Sequence, residues 1–284
     1  MSIIEEAVRK SAERRNRRTP TVATTPAPNR AAVRRVAATP TDTTHALRFQ
    51  TVSLNPEVLA ENFVLPQVTD MAAQRAYKIL RTRLLRRLET NQWHSFAMTG
   101  VTSGEGKTLT AINLAIAMAQ DVSTWVFLVD LDLQRPRIAE YLGLTNAGGR
   151  KGLSDFLTGD ATLESITYSL GGIDRLALLP NFQPLAHSSE LLNSPRMADL
   201  MQALDAETPR RIMIFDMPPM LAADDVLAFS PQLDGLLLVV AEGTTSRDQL
   251  RSAKEVLAEM NVLGVVLNRS AERNDRAYYS YGHP

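Results

Sequence analysis

The sequence predicts an α/β fold, a mostly parallel β-sheet covered by helices on both faces. Three observations lead there. Short, near-continuous apolar runs recur from residue 94 onward, the pattern of strands buried on both faces. Helical stretches separate these runs, as the crossovers of a parallel sheet require. One run, "FAMTG", leads into "VTSGEGKTLTAINLA", a glycine-rich turn that opens an apolar helix.

Residues 1–16, "MSIIEEAVRKSAERRN", predict a short helix. Ser2 stands where a cap belongs, Glu5 and Glu6 lie in the first turn, and Arg14 and Arg15 lie near the end. Residues 17–67 read as a basic, largely disordered linker, because the stretch to Thr44 is rich in Thr, Pro, Ala and Arg and has almost no large apolar residues. Two readings of that segment stay open. It is a solvated tether, or it anchors to an anionic membrane surface or an acidic partner through Arg14, Arg15, Arg17, Arg18, Arg34 and Arg35.

The folded domain is expected over residues 68–270. Its first helix has Thr69 or Asp70 as a cap, and Ala73, Ala76, Tyr77, Leu80, Leu84 and Leu88 fall at helical spacing with arginines opposite. Strands are expected over 94–100, 125–130, 174–180, 211–219, 234–242 and 262–268. Helices are expected over 108–119, near 135–143, and over 195–207, 223–230 and 246–260. The last shows the stripe Leu250, Ala253, Val256, Leu257, Met260. Residues 271–284 form a tail in which Tyr278, Tyr279 and Tyr281 account for half of the six tyrosines.

Composition narrows the function. The 284 residues carry a formal net charge of zero, so the molecule is not a polyelectrolyte and nucleic acid is not an expected partner. The absence of cysteine excludes disulfides, iron–sulfur clusters and thiolate zinc sites. The four histidines are scattered without ligand spacing. No apolar run approaches the roughly 20 residues of a membrane span, and "MSIIEEAVRK" lacks the apolar core of a signal peptide, so a cytoplasmic location is expected.

The glycine-rich turn is the strongest chemical signal. Glycines let backbone N–H groups turn toward phosphate oxygens, so the loop from Ser103 through Gly104, Glu105, Gly106, Lys107 and Thr108 to Leu109 is expected to bind a nucleotide. The helix N-terminus adds its positive end, Lys107 reaches the outer phosphates, and the Thr108 hydroxyl ligates Mg²⁺. The usual pattern, G-x-x-x-x-G-K-[ST], has valine here at its first position, and the glycine, Gly100, comes one residue earlier. Two acidic strand ends agree with a P-loop. "VFLVDLD" ends in Asp130 and Asp132, and "RIMIFD" in Asp216. In a parallel sheet the carboxyl ends of the strands form one edge, where ligands bind. Any one of these aspartates could instead cap a helix, but three of them with a P-loop should converge on one nucleotide and its metal. Asn268 ends a further strand on that edge, either to read a purine or simply to turn the chain.

As a set, these motifs resemble the bacterial tyrosine kinases (BY-kinases) of exopolysaccharide and capsule systems, closest to the exosortase-associated autokinases. The resemblance runs from Ala73 to the C-terminus through "TSGEGKTLTAINLA", "LVDLDLQRPRIAEYLGL", "GLSDFLTG", "SSELLNSPRM", "RIMIFDMPPMLAADDVLAFSPQLDGLLLVV", "VLGVVLN" and the terminal tyrosines. It implies a P-loop NTPase sheet, ATP with Mg²⁺, and transfer of the γ-phosphoryl group to Tyr278, Tyr279 and Tyr281. It assigns Lys107 and Thr108 to the Walker A motif, Asp130 and Asp132 to Walker A′, and Asp216 to Walker B. Asp130 would accept the tyrosine proton. Thr108 would ligate the metal, with Asp132 and Asp216 in the metal's shell. It further implies self-association, a separate membrane-spanning chain-length determinant (polysaccharide co-polymerase), a cognate phosphatase, and a peripheral place at the inner face of the cytoplasmic membrane. The chain departs from the family twice. Gln134 stands where D-x-D-x-R has its arginine, and Arg75 replaces the acid of E-x-x-R-x-x-R, reversing any ion pair made there in ring assembly.

Two other functions compete. A ParA/MinD-type ATPase switch would hydrolyse ATP without modifying the tail, although such proteins usually carry a lysine early in the loop, where this chain has Thr102. A degenerate nucleotide-binding adaptor would dock its tail as plain aromatics.

Overall fold

A computed structural model of the chain describes residues 49–270, apart from positions 147, 207 and 209. The N-terminal helix expected over 1–16, most of the linker, and the tyrosine tail lie outside the described residues.

Regular structure among the described residues begins well upstream of the boundary expected at Val68. Strand β1 (Gln50–Val52) and helix α1 (Pro56–Glu61) both precede it. Asn55 caps α1 by accepting from Glu57 N–H, and Pro56 opens it, where a missing N–H costs nothing. Val52, Leu59, Val64 and Leu65 are buried, each adding about 1.5–3 kcal/mol. These residues follow neither helical nor strand periodicity for long. The segment is held by tertiary contacts, so its sequence reads as linker.

Helix α2 (Met71–Asn91) starts where expected, with Asp70 accepting from Ala72 N–H at 2.8 Å. Leu84 and Leu88 are buried, whereas Ala76 is exposed rather than part of the apolar stripe. Strand β2 (Ser95–Gly100) is buried throughout. It feeds helix α3 (Lys107–Met118), in which ten of twelve residues are buried. A helix that is apolar on every side belongs inside a domain, and α3 lies under the sheet with α2 across it.

Strand β3 (Trp125–Asp130) matches its expected bounds. Helices α4 (Ile138–Tyr141), α5 (Leu153–Thr158) and α6 (Leu163–Ile166) follow, then β4 (Tyr168–Leu170) and β5 (Ile173–Leu179). The chain continues through α7 (Ser188–Leu192), α8 (Pro195–Ala206), β6 (Arg211–Asp216), α9 (Asp225–Phe229), β7 (Gly235–Ala241), α10 (Arg247–Val256) and β8 (Val262–Asn268). Ser246 and Gln249 form a capping box on α10, and its last turn tightens into a 3₁₀ helix over Leu257–Glu259.

The described strands form one sheet in the order β1-β4-β5-β3-β6-β2-β7-β8. Every neighbouring pair is parallel except β4 and β5. These two are joined through Gly171 and Gly172, and Gly172 sits at φ +83°, which suits a tight antiparallel turn. The β2–α3–β3 crossover leaves β2 on one side, and β7 lies on its other side. The carboxyl end of β2 is therefore a switch point, where open α/β sheets bind ligands.

One buried side chain ties the unexpected N-terminal segment to the P-loop helix. Asn113 of α3 accepts from Leu65 N–H at 2.8 Å and donates to Phe63 C=O at 3.0 Å. Asn113→Ala would leave the buried Leu65 N–H and the part-buried Phe63 carbonyl unpaired. Urea unfolding should show a loss of about 1–3 kcal/mol. An unchanged midpoint would mean that residues 49–68 do not contribute to the fold's stability.

Candidate active site

The P-loop is shaped by its own glutamate. Glu105 is buried, and its Oε2 accepts from Val101 N–H at 2.5 Å and Thr102 N–H at 3.0 Å. Its Oε1 accepts from the Thr102 hydroxyl at 3.2 Å and from the Thr245 hydroxyl. This accounts for the early glycine. A Cβ on Gly100 would run into the Glu105 carboxylate, so the glycine makes room for the carboxylate and valine can take the next place. Glu105 therefore offers the ligand its backbone and keeps its side chain within the protein.

Asn268 braces the loop from β8. Its Nδ2 donates to Glu105 C=O at 2.9 Å, and its Oδ1 accepts from Arg269 N–H at 2.9 Å. Gly106 has φ +88°, and a Cβ there would meet the Asn268 amide. Glycine is thus required twice over, by conformation and by space. The amide that could read a purine is engaged with the loop.

Ser103 and Gly104 are exposed at the crest of the loop. Among the described residues, the N–H groups of Gly106, Lys107, Thr108 and Leu109 have no acceptor. They open the twelve-residue helix α3, so free amides and the positive helix end face the same space.

The strand ends then supply charge. β3 and β6 are adjacent, and Asp130 is in register with Asp216. Lys107 Nζ lies 2.7 Å from Asp132 Oδ2, 3.8 Å from Asp216 Oδ1 and 3.4 Å from the Thr108 hydroxyl. Burial alone would lower the Lys107 pKa, but Asp216 and Asp132 outweigh it, and the net shift is upward. Lys107 is a firm cation.

Three carboxylates share that one cation. Asp130 is fully buried; Ile138 N–H donates to its Oδ2 at 3.1 Å, and Oδ1 has no partner among the described residues. Burial first, and Asp216 second, raise its pKa well above the carboxylate range. Asp216 is fully buried; the Thr108 hydroxyl and the Lys107 ammonium both act on it, the latter from 3.8 Å, but neither oxygen has a donor at ordinary hydrogen-bond geometry among the described residues. Burial raises its pKa to about 6 against the opposing pull of Lys107. Buried carboxylate oxygens without donors are costly, and a bound cation would satisfy them. No group of three or more described His, Asp or Glu side chains is arranged to hold a metal by itself. That fits Mg²⁺, which keeps waters and phosphate oxygens as ligands beside one or two protein groups.

All the strand-end residues picked from the sequence thus meet the P-loop at one edge. Thr245 was not among them. It lies 140 residues from Glu105 in the chain, and no local pattern links the two.

A parallel sheet with a phosphate loop at its switch point and acidic ends on the adjoining strands defines a P-loop nucleotide-binding protein. Residues 96–281 match the CobQ/CobB/MinD/ParA nucleotide binding domain. The chain is 31% identical over 208 residues to the tyrosine-protein kinase YwqD of Bacillus subtilis, covering 72% of this chain and 85% of that one. It is 30% identical over 219 residues to the tyrosine-protein kinase Wzc of Salmonella typhi, covering 75% of this chain and 29% of that longer one. The solved kinase domain of the Escherichia coli tyrosine kinase ETK superposes with a TM-score of 0.63 at 28% identity, over 75% of this chain and 81% of that one. The chain belongs to the bacterial tyrosine kinases, the protein-tyrosine kinases built on this domain.

Two outcomes follow from the site. Asp216 is held at about 6, above an unfolded value near 3.9. The cost to folding therefore sets in as pH rises past the unfolded value, where the unfolded chain ionises while the folded one keeps its proton, and it is complete above about 6. In protein free of metal and nucleotide, Asp216→Asn should raise Tm by a few degrees at pH 7.5 and by about half as much at pH 5. Scanning calorimetry at the two pH values checks this. Glu105→Ala, which strips the acceptor from two loop amides, should weaken binding of a fluorescent ATP analogue about 10-fold or more. Glu105→Gln keeps an acceptor oxygen and should retain most of the affinity.

Proposed function

We propose that this protein is a tyrosine autokinase that transfers the γ-phosphoryl group of Mg·ATP to Tyr278, Tyr279 and Tyr281 of its own or a neighbour's C-terminal tail. The observation that carries the reading is the cluster of Lys107, Asp130, Asp132 and Asp216 beside the free amides of α3.

In this reading Lys107 and the α3 amides hold the outer phosphates and neutralise charge that develops on the transferred group. Thr108, Asp132 and Asp216 would hold Mg²⁺. The metal, when bound, supplies further charge neutralisation between the phosphates. Asp132 keeps Lys107 directed at the phosphates through its 2.7 Å contact. Asp130 takes the phenolic proton. A tyrosine hydroxyl has a pKa near 10 and is largely protonated at neutral pH, so a carboxylate beside it, once ionised in the loaded site, assists the attack.

The tail can reach such a site. Strand β8 ends at Asn268 on the nucleotide edge, and the ten residues from there to Tyr278 span roughly 33 Å when extended, at about 3.3 Å each. Each phosphate would add a charge of about −1.5 to −2 and change how the protein associates.

The cellular role follows from the family resemblance. We place the kinase in exopolysaccharide polymerisation and export, at the inner face of the cytoplasmic membrane, beside a separate chain-length determinant and a cognate phosphatase. No helix among the described residues is long and apolar enough to cross a membrane.

Purified protein incubated with ATP and Mg²⁺ should gain phosphate on the tail tyrosines, mapped by mass spectrometry, and Lys107→Met should reduce it at least 100-fold. An unmodified wild-type tail, even with the membrane partner present, would refute the proposal.

A further inference from the structure

A second buried polar group adjoins the catalytic edge and has no part in the mechanism above. The loop that carries Asp132 runs from β3 to α4. Its Gln134 donates through Nε2 to the Ser188 hydroxyl at 2.9 Å. Ser188, the first residue of α7, donates in turn to Asp225 Oδ1 at 2.8 Å. Asp225, the first residue of α9, is completely buried, and its Oδ2 has no partner among the described residues. The donors run one way, from amide to hydroxyl to carboxylate, so each bond polarises the next. Beside this chain, Leu185 N–H donates to Leu133 C=O at 2.8 Å, fixing the same loop from the same side.

The carboxylate is an expensive choice for this place. Burial raises the Asp225 pKa, the Ser188 bond opposes that, and Asp224, Asp132 and Glu190 add to it. For stability alone, an apolar side chain would serve better than a buried acid with one bare oxygen. What the acid does provide is an acceptor that orients Ser188, and through it Gln134, two residues beyond Asp132.

We infer that Gln134, Ser188 and Asp225 form a hydrogen-bond clamp, buried at Ser188 and Asp225, that positions the Asp132 loop against Lys107, making Ser188 and Asp225 positioning residues for phosphoryl transfer. The clamp acts on rate more than on nucleotide binding. The α3 amides that would hold the phosphates lie on a different loop, and the contact at risk is Asp132 to Lys107.

The inference rests on the site's turning over ATP, and ADP release is the readout that keeps it separate from the tail proposal. Full-length Ser188→Ala, Gln134→Ala, Asp225→Ala and Asp225→Asn are compared with wild type for ADP release, ATP affinity and Tm. Ser188→Ala and Asp225→Ala should lower kcat about 10-fold, with ATP affinity within about threefold of wild type. That is the scale of one lost hydrogen bond to a charged group. Gln134→Ala should lower kcat about threefold with Tm unchanged, since Gln134 is exposed. Asp225→Asn still accepts from Ser188 and should recover most of the rate. If Asp225→Ala fails to fold, the Gln134 and Ser188 variants decide. Wild-type kcat in both would overturn the clamp. So would losses that track Tm alone, or an Asp225→Asn variant that folds yet is as slow as Ser188→Ala. A wild-type protein that releases ADP but leaves its tail unmodified would overturn only the tail assignment.

Discussion

The constraint on which the rest of the structure depends is the alignment of strand ends in a parallel sheet. β2, β3 and β6 run the same way and stop at the same edge, so Gly100, Asp130 and Asp216 arrive together although the chain separates them widely. A parallel arrangement demands crossovers, and crossovers demand helices on both faces. The buried α3 is one of them, and its first turn is the phosphate loop. The fold thus delivers a positive helix end and buried carboxylates to one place without any local motif containing both.

That meeting places more carboxylates than cations in a largely buried region. Lys107 offsets one carboxylate well and a second weakly, and Asp130 and Asp216 keep bare oxygens. The free protein carries this as a cost, seen in the upward shifts of both aspartates, which burial drives first and the neighbouring carboxylates add to. A divalent cation with a triphosphate would match both halves of the site, the metal facing the carboxylates and the phosphates facing the amides and Lys107. Functional sites commonly trade stability for such readiness.

Much of this was legible in the sequence, for identifiable reasons. The strands are doubly buried and read as continuous apolar runs, so β3 and β8 were placed to the residue. The phosphate loop has fixed spacing, and aspartates at strand ends are visible once the strands are known. What stayed hidden depends on contacts between distant residues. β1 and α1 gain their order from burial and from Asn113, not from periodicity. The antiparallel β4–β5 turn is set by two glycines in a stretch too short to show alternation. Glu105 reads as another loop residue until Thr245 and the Val101 amide come to meet it. Asn268 left two readings open, and its amide turns out to brace the loop. Ser188 and Asp225 look like ordinary helix-start residues, and only the packing of α7 against α9 joins them.

The central claim is that the bare carboxylates are built for a cation brought by a nucleotide. Calorimetric titration with Mg·ADP at pH 6, in two buffers of different ionisation enthalpy, tests it most directly. Asp216, half-protonated at that pH in the free protein, and Asp130 must lose protons as the metal arrives. The account predicts proton release beyond that of the nucleotide itself, reduced in Asp216→Asn. Binding with no such excess, or an excess that Asp216→Asn leaves unchanged, would contradict it.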